Sequence, residues 1–290
     1  MDLEYLRAHP ERLPMLIDHQ RIRFTPVPGG STSVAQRLTL DDGTDVFAKL
    51  HETGPEGLID AERRGLDWLA AAGAPVPRVW ASTPELLVTD WIPEAAPTAD
   101  NAAAFGRALA RLHRSGADRF GADWPGFIGR LPLDNSGAET DWAGWYATRR
   151  LLPYLRMSRD AGTLDAADTA LVSAAIDRLP GHAGRSDPTE PVARIHGDLW
   201  PGNVLWSADR AFLIDPAAQG GHRETDLATL ALWGGAPRLA DIHAGYREVW
   251  PLADGWRDRT PAHQLHLLLV HTALFGRAYR DEVLAAARSW

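Results

Sequence analysis

Apolar and polar residues alternate through Leu38-Thr39-Leu40, break at Asp41-Asp42-Gly43-Thr44 and resume from Asp45 to Leu50, which predicts two strands joined by a tight turn. From Pro55 to Ala72 the period lengthens, with Leu58, Leu66 and Leu69 on one helical stripe and Gly73 as the stop. Leu86-Leu87-Val88 is a short buried-strand candidate running into Thr89-Asp90-Trp91-Ile92-Pro93. Beyond it the pattern is mainly helical, and Asp100 to Ser115 places Phe105, Leu109 and Leu112 at helical spacing before Gly116. Gly181 to Pro191, rich in Gly, Ser, Asp and Pro, reads as a loop. Val204-Leu205-Trp206, the turn Ser207-Ala208-Asp209-Arg210 and Ala211 to Ile214 read as a hairpin, and another helix begins near Asp226. The succession predicts an α+β chain of two lobes: a small β-rich one with one main helix over residues 1–90, and a larger, mostly helical one over 91–290.

Composition narrows the class. The 290 residues are 45% hydrophobic and 23% charged, as in a globular protein able to bury a large core. With no cysteine, disulfides, thiolate metal sites and cysteine nucleophiles are excluded. A charged N-terminus and the lack of any long uncharged apolar run argue against a signal peptide or a membrane span, so a cytoplasmic location is expected. A net charge of -8 disfavours nucleic acid and suits a small cationic substrate. Of the 30 basic residues (Lys and Arg) only Lys49 is a lysine, which marks it as a site where a compact point charge is needed.

The chemistry concentrates in His196-Gly197-Asp198-Leu199-Trp200-Pro201-Gly202-Asn203 and in Asp215 at the end of the predicted hairpin. In protein kinases an Asp accepts the proton of the attacking hydroxyl, an Asn five residues later holds magnesium, and a second Asp after a short strand holds it again. Asp198, Asn203 and Asp215 follow that order. Mg²⁺ bound to ATP takes only one or two protein oxygens, so Asn203 and Asp215 suffice. A polar surface loop would also use His, Asp and Asn, but has no reason to set them at these offsets on matching local structure.

Lys49 ends its strand, and Glu62 lies inside the apolar helical stripe, where an unpaired carboxylate would be costly. The two form a candidate strand-lysine to helix-glutamate pair that positions phosphates; alternatively, Glu62 borders the stripe and pairs with Arg63 or Arg64. Gly29, Gly30 and Ser31 form a glycine-rich loop whose amides could approach phosphate, though an ordinary glycine turn has the same composition. Thr89, Asp90, Trp91 and Ile92 occupy the place of an inter-lobe hinge whose main chain would meet adenine. Asp226 is either a carboxylate at a helix start or a brace for the catalytic loop. His263, His266 and His271 lack the spacing of a zinc helix.

With these residues in place, the chain resembles the fructosamine-3-kinase (ketosamine-3-kinase) family, a branch of the aminoglycoside-phosphotransferase and protein-kinase-like fold. The similarity runs over nearly the whole chain, through Phe47-Ala48-Lys49, the segment Phe105 to His113, Phe127-Ile128-Gly129, Asp141-Trp142 and Arg149-Arg150-Leu151. Its most specific parts are the octapeptide at 196–203, Asp215-Pro216-Ala217 and the run Gly221 to Ala228. Pro201 replaces a usual Ser, Ser31 stands where some relatives have cysteine, and the segment Trp124 to Gly129 departs from the family pattern. The resemblance implies ATP- and Mg²⁺-dependent phosphorylation of the 3-hydroxyl of a ketosamine of fructosamine or ribulosamine type, a deglycation step; the oligomeric state stays open at this level, with a monomer favoured. The acceptor would be a small amine-bearing sugar or a glycated protein. Asp198 would be the base, and Trp200, His196 and Glu224 the candidate substrate residues, although Trp200 could equally be a core residue in a chain with 12 Trp. Two alternatives remain at this level: another small-molecule kinase, for aminoglycosides or choline, and an inactive kinase-like binding protein.

Overall fold

A computed structural model describes residues 3–13, 23–27, 33–51, 53–137, 141–183 and 190–290. Five antiparallel strands form the first sheet: β1 (Arg23–Pro26), β2 (Val34–Thr39), β3 (Asp45–Leu50), β4 (Val79–Ser82) and β5 (Leu86–Asp90), in the order β1-β2-β3-β5-β4. The predicted hairpin is β2–β3, with Ala35 opposite Lys49, and β5 lies on the other side of β3, with Leu87 opposite Lys49. Alternation along β3 sends Val46 and Ala48 to a core shared with Leu6, Leu13, Leu38, Leu40 and Val88. Lys49 therefore faces the opposite side, where the helix Leu58–Ala71 packs Ile59 and Leu66 against Leu87. Glu62, three residues from Ile59 and four from Leu66, lies on that same buried stripe.

The rest of the chain is mainly helical, with three small two-stranded sheets: β6 (Gly126–Ile128) with β7 (Leu131–Leu133), β8 (Ala193–Ile195) with β11 (Gln219–Gly221), and β9 (Val204–Trp206) with β10 (Ala211–Leu213). The last is the predicted hairpin, in the register Ala211 to Trp206. The helix Ala99–Arg114 begins where the Thr98 side chain accepts the Asn101 amide at 3.1 Å. The loop expected over 181–191 starts later, because the helix Ala166–Ala183 continues through Pro180, held by the buried stripe Val172, Ala175, Ile176 and Leu179; residues 184–189 lie outside the described set. The helix Trp256–Phe275 is the central post, with Leu265, Leu267, Leu268, Leu269 and Val270 all buried. Among the described residues, no helix is long and apolar enough to cross a membrane.

Gly106 and Gly245 let the helices Ala99–Arg114 and Leu239–Val249 touch backbone to backbone. A Cβ on Gly106 would sit 2.0 Å from the Ile242 carbonyl oxygen, and one on Gly245 2.0 Å from that of Ala103. Gly106→Ala is expected to destabilise the fold by about 1–3 kcal/mol and to lower the melting temperature by about 5 °C. Differential scanning calorimetry checks this, and an unchanged melting temperature would mean the helices separate at no cost.

Candidate active site

The site is organised around one ammonium. Lys49 Nζ lies 3.0 and 2.9 Å from the two Glu62 oxygens and 3.0 Å from Asp215 Oδ1, so it joins the first sheet to the end of the β9–β10 hairpin. Arg63 and Arg64 do not compete for Glu62: Arg63 bonds Asp60 and Asp67, and Arg64 pairs with Asp60. Lys49 is only 9% exposed. Burial disfavours its cation, but the charges of Asp215 and Glu62 outweigh that and hold the ammonium protonated well beyond its ordinary range. For Glu62 burial prevails over the attraction of Lys49 and raises its pKa.

The loop after β8 is fixed by hydrogen bonds from below. Asp226, fully buried, accepts the amides of His196 at 2.7 Å and Gly197 at 2.9 Å, and the Nε2–H of His113 at 3.1 Å. This is the bracing role, and the four groups linked to it form one buried unit, since His113 Nδ1 in turn accepts from the Tyr246 hydroxyl at 2.9 Å. Burial raises the Asp226 pKa, and the hydrogen bond from His113, aided by that from the His196 amide, reverses this, so the net shift is downward. His196 is fully buried. Its Nε2–H donates to the Ile214 carbonyl at 2.9 Å, which leaves Nδ1 to accept the Asp198 amide at 3.3 Å. Gly197 has φ +82°, and a Cβ there would lie 2.2 Å from the Ala217 carbonyl oxygen, so no other residue fits.

Pro201 to Asn203 make one 3-10 turn with Pro at its first position, where its fixed φ suits and no amide is needed, so the replacement of Ser is accommodated. Gly202 lies beneath the Trp200 ring, where a Cβ would meet the indole at 2.1 Å. Asn203 Nδ2 donates to the Asp198 carbonyl at 2.8 Å and to Asp198 Oδ2 at 3.2 Å, and its own oxygen has no hydrogen bond to any described residue. Asp198 Oδ1 is buried with no hydrogen-bond partner among the described residues. Burial and then the charge of Asp215 push the Asp198 pKa well up, with the Asn203 hydrogen bond opposing. Asp215 adopts φ +54°, an unusual conformation for a non-glycine residue, and it is held there by the Ile214 amide donating to the Asn203 carbonyl at 3.1 Å.

Lys49, Glu62, Asp198, Asn203, Asp215 and Trp200 all line one cleft of about 380 Å³. Gly29, Gly30 and Ser31 lie outside the described residues. Thr89, Asp90, Trp91 and Ile92 do not line the cleft. The Asp90 carboxylate is spent on the Arg78 amide at 2.9 Å and the Trp80 Nε1–H at 2.8 Å, and Trp91 carries the Arg37 guanidinium over its ring. Two expected substrate contacts are corrected. Among the described residues the His196 ring bonds only the Ile214 carbonyl and the Asp198 amide, and Glu224, 2% exposed, is turned inward to Arg259, whose Nε and Nη2 donate to it at 2.8 and 2.6 Å. Both belong to specific motifs, but there the motif encodes internal support.

Three residues with ligand atoms within 4.8 Å of one another, His222, Glu224 and His263, went unnoticed as a cluster in the sequence. The Arg259 guanidinium already engages both Glu224 oxygens, so the group is an internal ion pair rather than an open cation site. Also unnoticed were Phe275 and Tyr279 on the cleft wall, and His271, considered only as a metal ligand, joins them there, although their spacing of four is a legible helical stripe.

Burial raises the Glu224 pKa, but hydrogen bonds from Arg259 and His263 hold it well below its ordinary 4.5. The folded state thus binds the proton more weakly than the unfolded chain, and the stability from this pair is full above about pH 4.5 and drains as pH falls. Glu224→Gln, which leaves Arg259 buried without its charge partner, should cost about 3–5 kcal/mol at neutral pH. It should also flatten the acid limb of a melting-temperature profile; an acid limb as steep as the wild type's would contradict the assignment.

Comparison with known proteins agrees with this geometry. The family model described as Fructosamine kinase matches residues 16–288. The "Probable ketoamine kinase" of Thermus thermophilus is 33% identical over 262 residues, covering 88% of each chain. That of Escherichia coli K12 is 32% identical over 256 residues, covering 86% of each. A crystal structure from Thermobifida fusca assigned as a fructosamine-3-kinase shares 46% identity, with a TM-score of 0.88 and 98% of each chain covered. Aminoglycoside phosphotransferase APH(4)-Ia shares the fold at 17% identity and a TM-score of 0.63, covering 97% of this chain and 99% of its own; one of its structures is a ternary complex with ADP and hygromycin B. The chain belongs to the fructosamine kinase family, with a two-lobed kinase-like fold, and is a phosphotransferase that acts on a hydroxyl group.

Proposed function

We propose that the protein transfers the γ-phosphoryl group of ATP to the 3-hydroxyl of a ketosamine, a repair step that destabilises the glycated adduct. The observation that carries this reading is the meeting of Lys49, Glu62, Asp198, Asn203 and Asp215 in one cleft. An inactive binding relative would be expected to lose one of these, and none is lost. APH(4)-Ia, a fold neighbour, forms a complex with ADP, which supports a nucleotide as one ligand of this fold.

In this reading residues 1–90 hold the nucleotide and 91–290 the acceptor, with Gly29, Gly30 and Ser31 against the phosphates and the main chain of Thr89 to Ile92 against adenine. Lys49, fixed by Glu62, neutralises phosphate charge. The unpartnered Asp198 Oδ1 accepts the proton of the attacking hydroxyl, and Asn203 holds the other oxygen so that the carboxylate cannot rotate away. The free Asn203 oxygen and the Asp215 carboxylate fit Mg²⁺, which prefers oxygen ligands and few from the protein. When bound, the ion would neutralise charge on the phosphates. Trp200, on the cleft wall two residues from the base, would face the sugar amine. Catalysis is mostly positioning and charge compensation.

Asp198→Asn should lower kcat about 10²–10⁴-fold, the range of a lost general base, with nucleotide affinity retained. Turnover against a panel of ketosamines and aminoglycosides, with the phosphorylated carbon located by NMR, tests the rest. Undiminished turnover by Asp198→Asn would sink the mechanism, and activity confined to aminoglycosides would overturn the substrate. Asn203→Ala and Asp215→Asn should each raise the Mg²⁺ concentration needed for half-maximal rate; an unaltered Mg²⁺ dependence in both would remove them as ligands.

A further inference from the structure

The cleft does not end at Asp198. Trp200 meets Trp233 edge to face at 5.6 Å, Trp233 meets His271 at 4.4 Å, and His271 meets Phe275 at 5.3 Å and Tyr279 at 4.9 Å. Trp200, His271, Phe275 and Tyr279 all line the cleft, and the chain thus walls one end of it with aromatic rings from the loop after β8 and from the end of the Trp256–Phe275 helix. We propose that this aromatic enclosure is the subsite for the substituent on the acceptor's amine, and that it makes the protein selective for ketosamines whose nitrogen carries an apolar or aromatic group. The inference rests on the reading of the cleft as a ketosamine kinase site.

Four observations support it. Phe275 is 45% exposed, one of three large apolar side chains so placed among the described residues, and packing of the fold does not require a phenyl ring there. His271 Nδ1–H donates to the Leu267 carbonyl at 2.8 Å, so the neutral ring keeps Nε2 as an acceptor, with no hydrogen bond to any described residue. Burial lowers the His271 pKa, against the opposing influence of that carbonyl and of Glu282, so no positive charge repels an ammonium. Glu282, which accepts the Trp233 Nε1–H at 2.9 Å, adds a negative charge behind the rings. Aromatic faces, a neutral acceptor nitrogen and a nearby carboxylate together suit a protonated secondary amine with an apolar arm.

The chemistry of the acceptor sets the direction. A ketosamine nitrogen is attached to C1, two carbons from the hydroxyl-bearing C3. With that hydroxyl at Asp198, the nitrogen reaches the neighbourhood of Trp200, and whatever it carries extends toward His271, Phe275 and Tyr279. A carboxylate-bearing arm would find no cation among the four lining residues Trp200, His271, Phe275 and Tyr279, with the Glu282 carboxylate held behind them by Trp233.

The test holds the sugar constant and varies the amine: fructosamines of benzylamine, hexylamine and glycine, with ATP and Mg²⁺. The wild type should favour the benzyl over the glycine acceptor in kcat/KM by about tenfold or more, the scale of a contact with one apolar group. In Phe275→Ala and Tyr279→Ala that ratio should collapse toward one through KM for the benzyl acceptor, and Tyr279→Phe should restore it. Melting temperatures of the variants verify folding, and exposed Phe275 is the safer of the two. Wild-type turnover that is equal for all three amines overturns the subsite while leaving the ketosamine reading intact, as does an equal loss of kcat on every acceptor in the variants. Failure to phosphorylate all three, and the corresponding ribulosamines as well, overturns both.

Discussion

Two carboxylates from opposite sides of the cleft, Glu62 and Asp215, are held together by the ammonium of Lys49, and the rest of the site depends on that charge balance. Glu62 and Lys49 are both nearly buried, so removing Lys49 would leave two carboxylates facing each other without a cation in a low-dielectric environment, whereas removing Glu62 would leave the ammonium to Asp215 alone. The pairing exists because strand alternation turns Lys49 away from the Val46 and Ala48 core, toward a helix whose apolar stripe contains one carboxylate. The same ammonium reaches Asp215, so the position of the first sheet over the catalytic loop is tied to the chemistry itself. A phosphate arriving in the cleft would share Lys49 with carboxylates already in place, which is a preorganised arrangement with little to rearrange.

A second buried unit supports the opposite wall. Asp226 receives two consecutive loop amides, and His113 and Tyr246 carry its charge into the core between the helices Ala99–Arg114 and Leu239–Val249. Those helices approach at Gly106 and Gly245, so the placement of Asp198 depends on a glycine contact remote from it. The Glu224–Arg259 pair, with His263 and His222 beside it, does the same for the helix Arg223–Thr229 and the start of the central helix. The specificity of the Gly221 to Ala228 run in the sequence thus has a structural meaning: it encodes the support of the loop.

The division between residues that act and residues that hold is clearest where sequence reasoning went astray. Glu224 and His196 sit in the most distinctive motifs and read as substrate contacts, yet both are buried and bonded inward. Motif density reports constraint, and constraint is as strong on a buried ion pair as on a catalytic group. Conversely, Phe275 and Tyr279 belong to no motif, and their stripe with His271 becomes meaningful only because the central helix ends beside Trp200.

From the sequence alone, local order was legible: the β2–β3 and β9–β10 hairpins, the helix carrying Glu62, the kinase spacing of Asp198, Asn203 and Asp215, and Lys49 as the single lysine. These follow from side-chain periodicity and turn chemistry, which act over a few residues. The three-residue strands β8 and β11 were not legible, since their pairing joins segments more than twenty residues apart and too short to show a period. Nor could the pattern choose between a solvated and a bracing Asp226, a Glu62 paired to Lys49 or to Arg63, or an inward and an outward Glu224. Those choices depend on which distant groups share a buried space, and only packing of the whole chain brings the partners within hydrogen-bond reach.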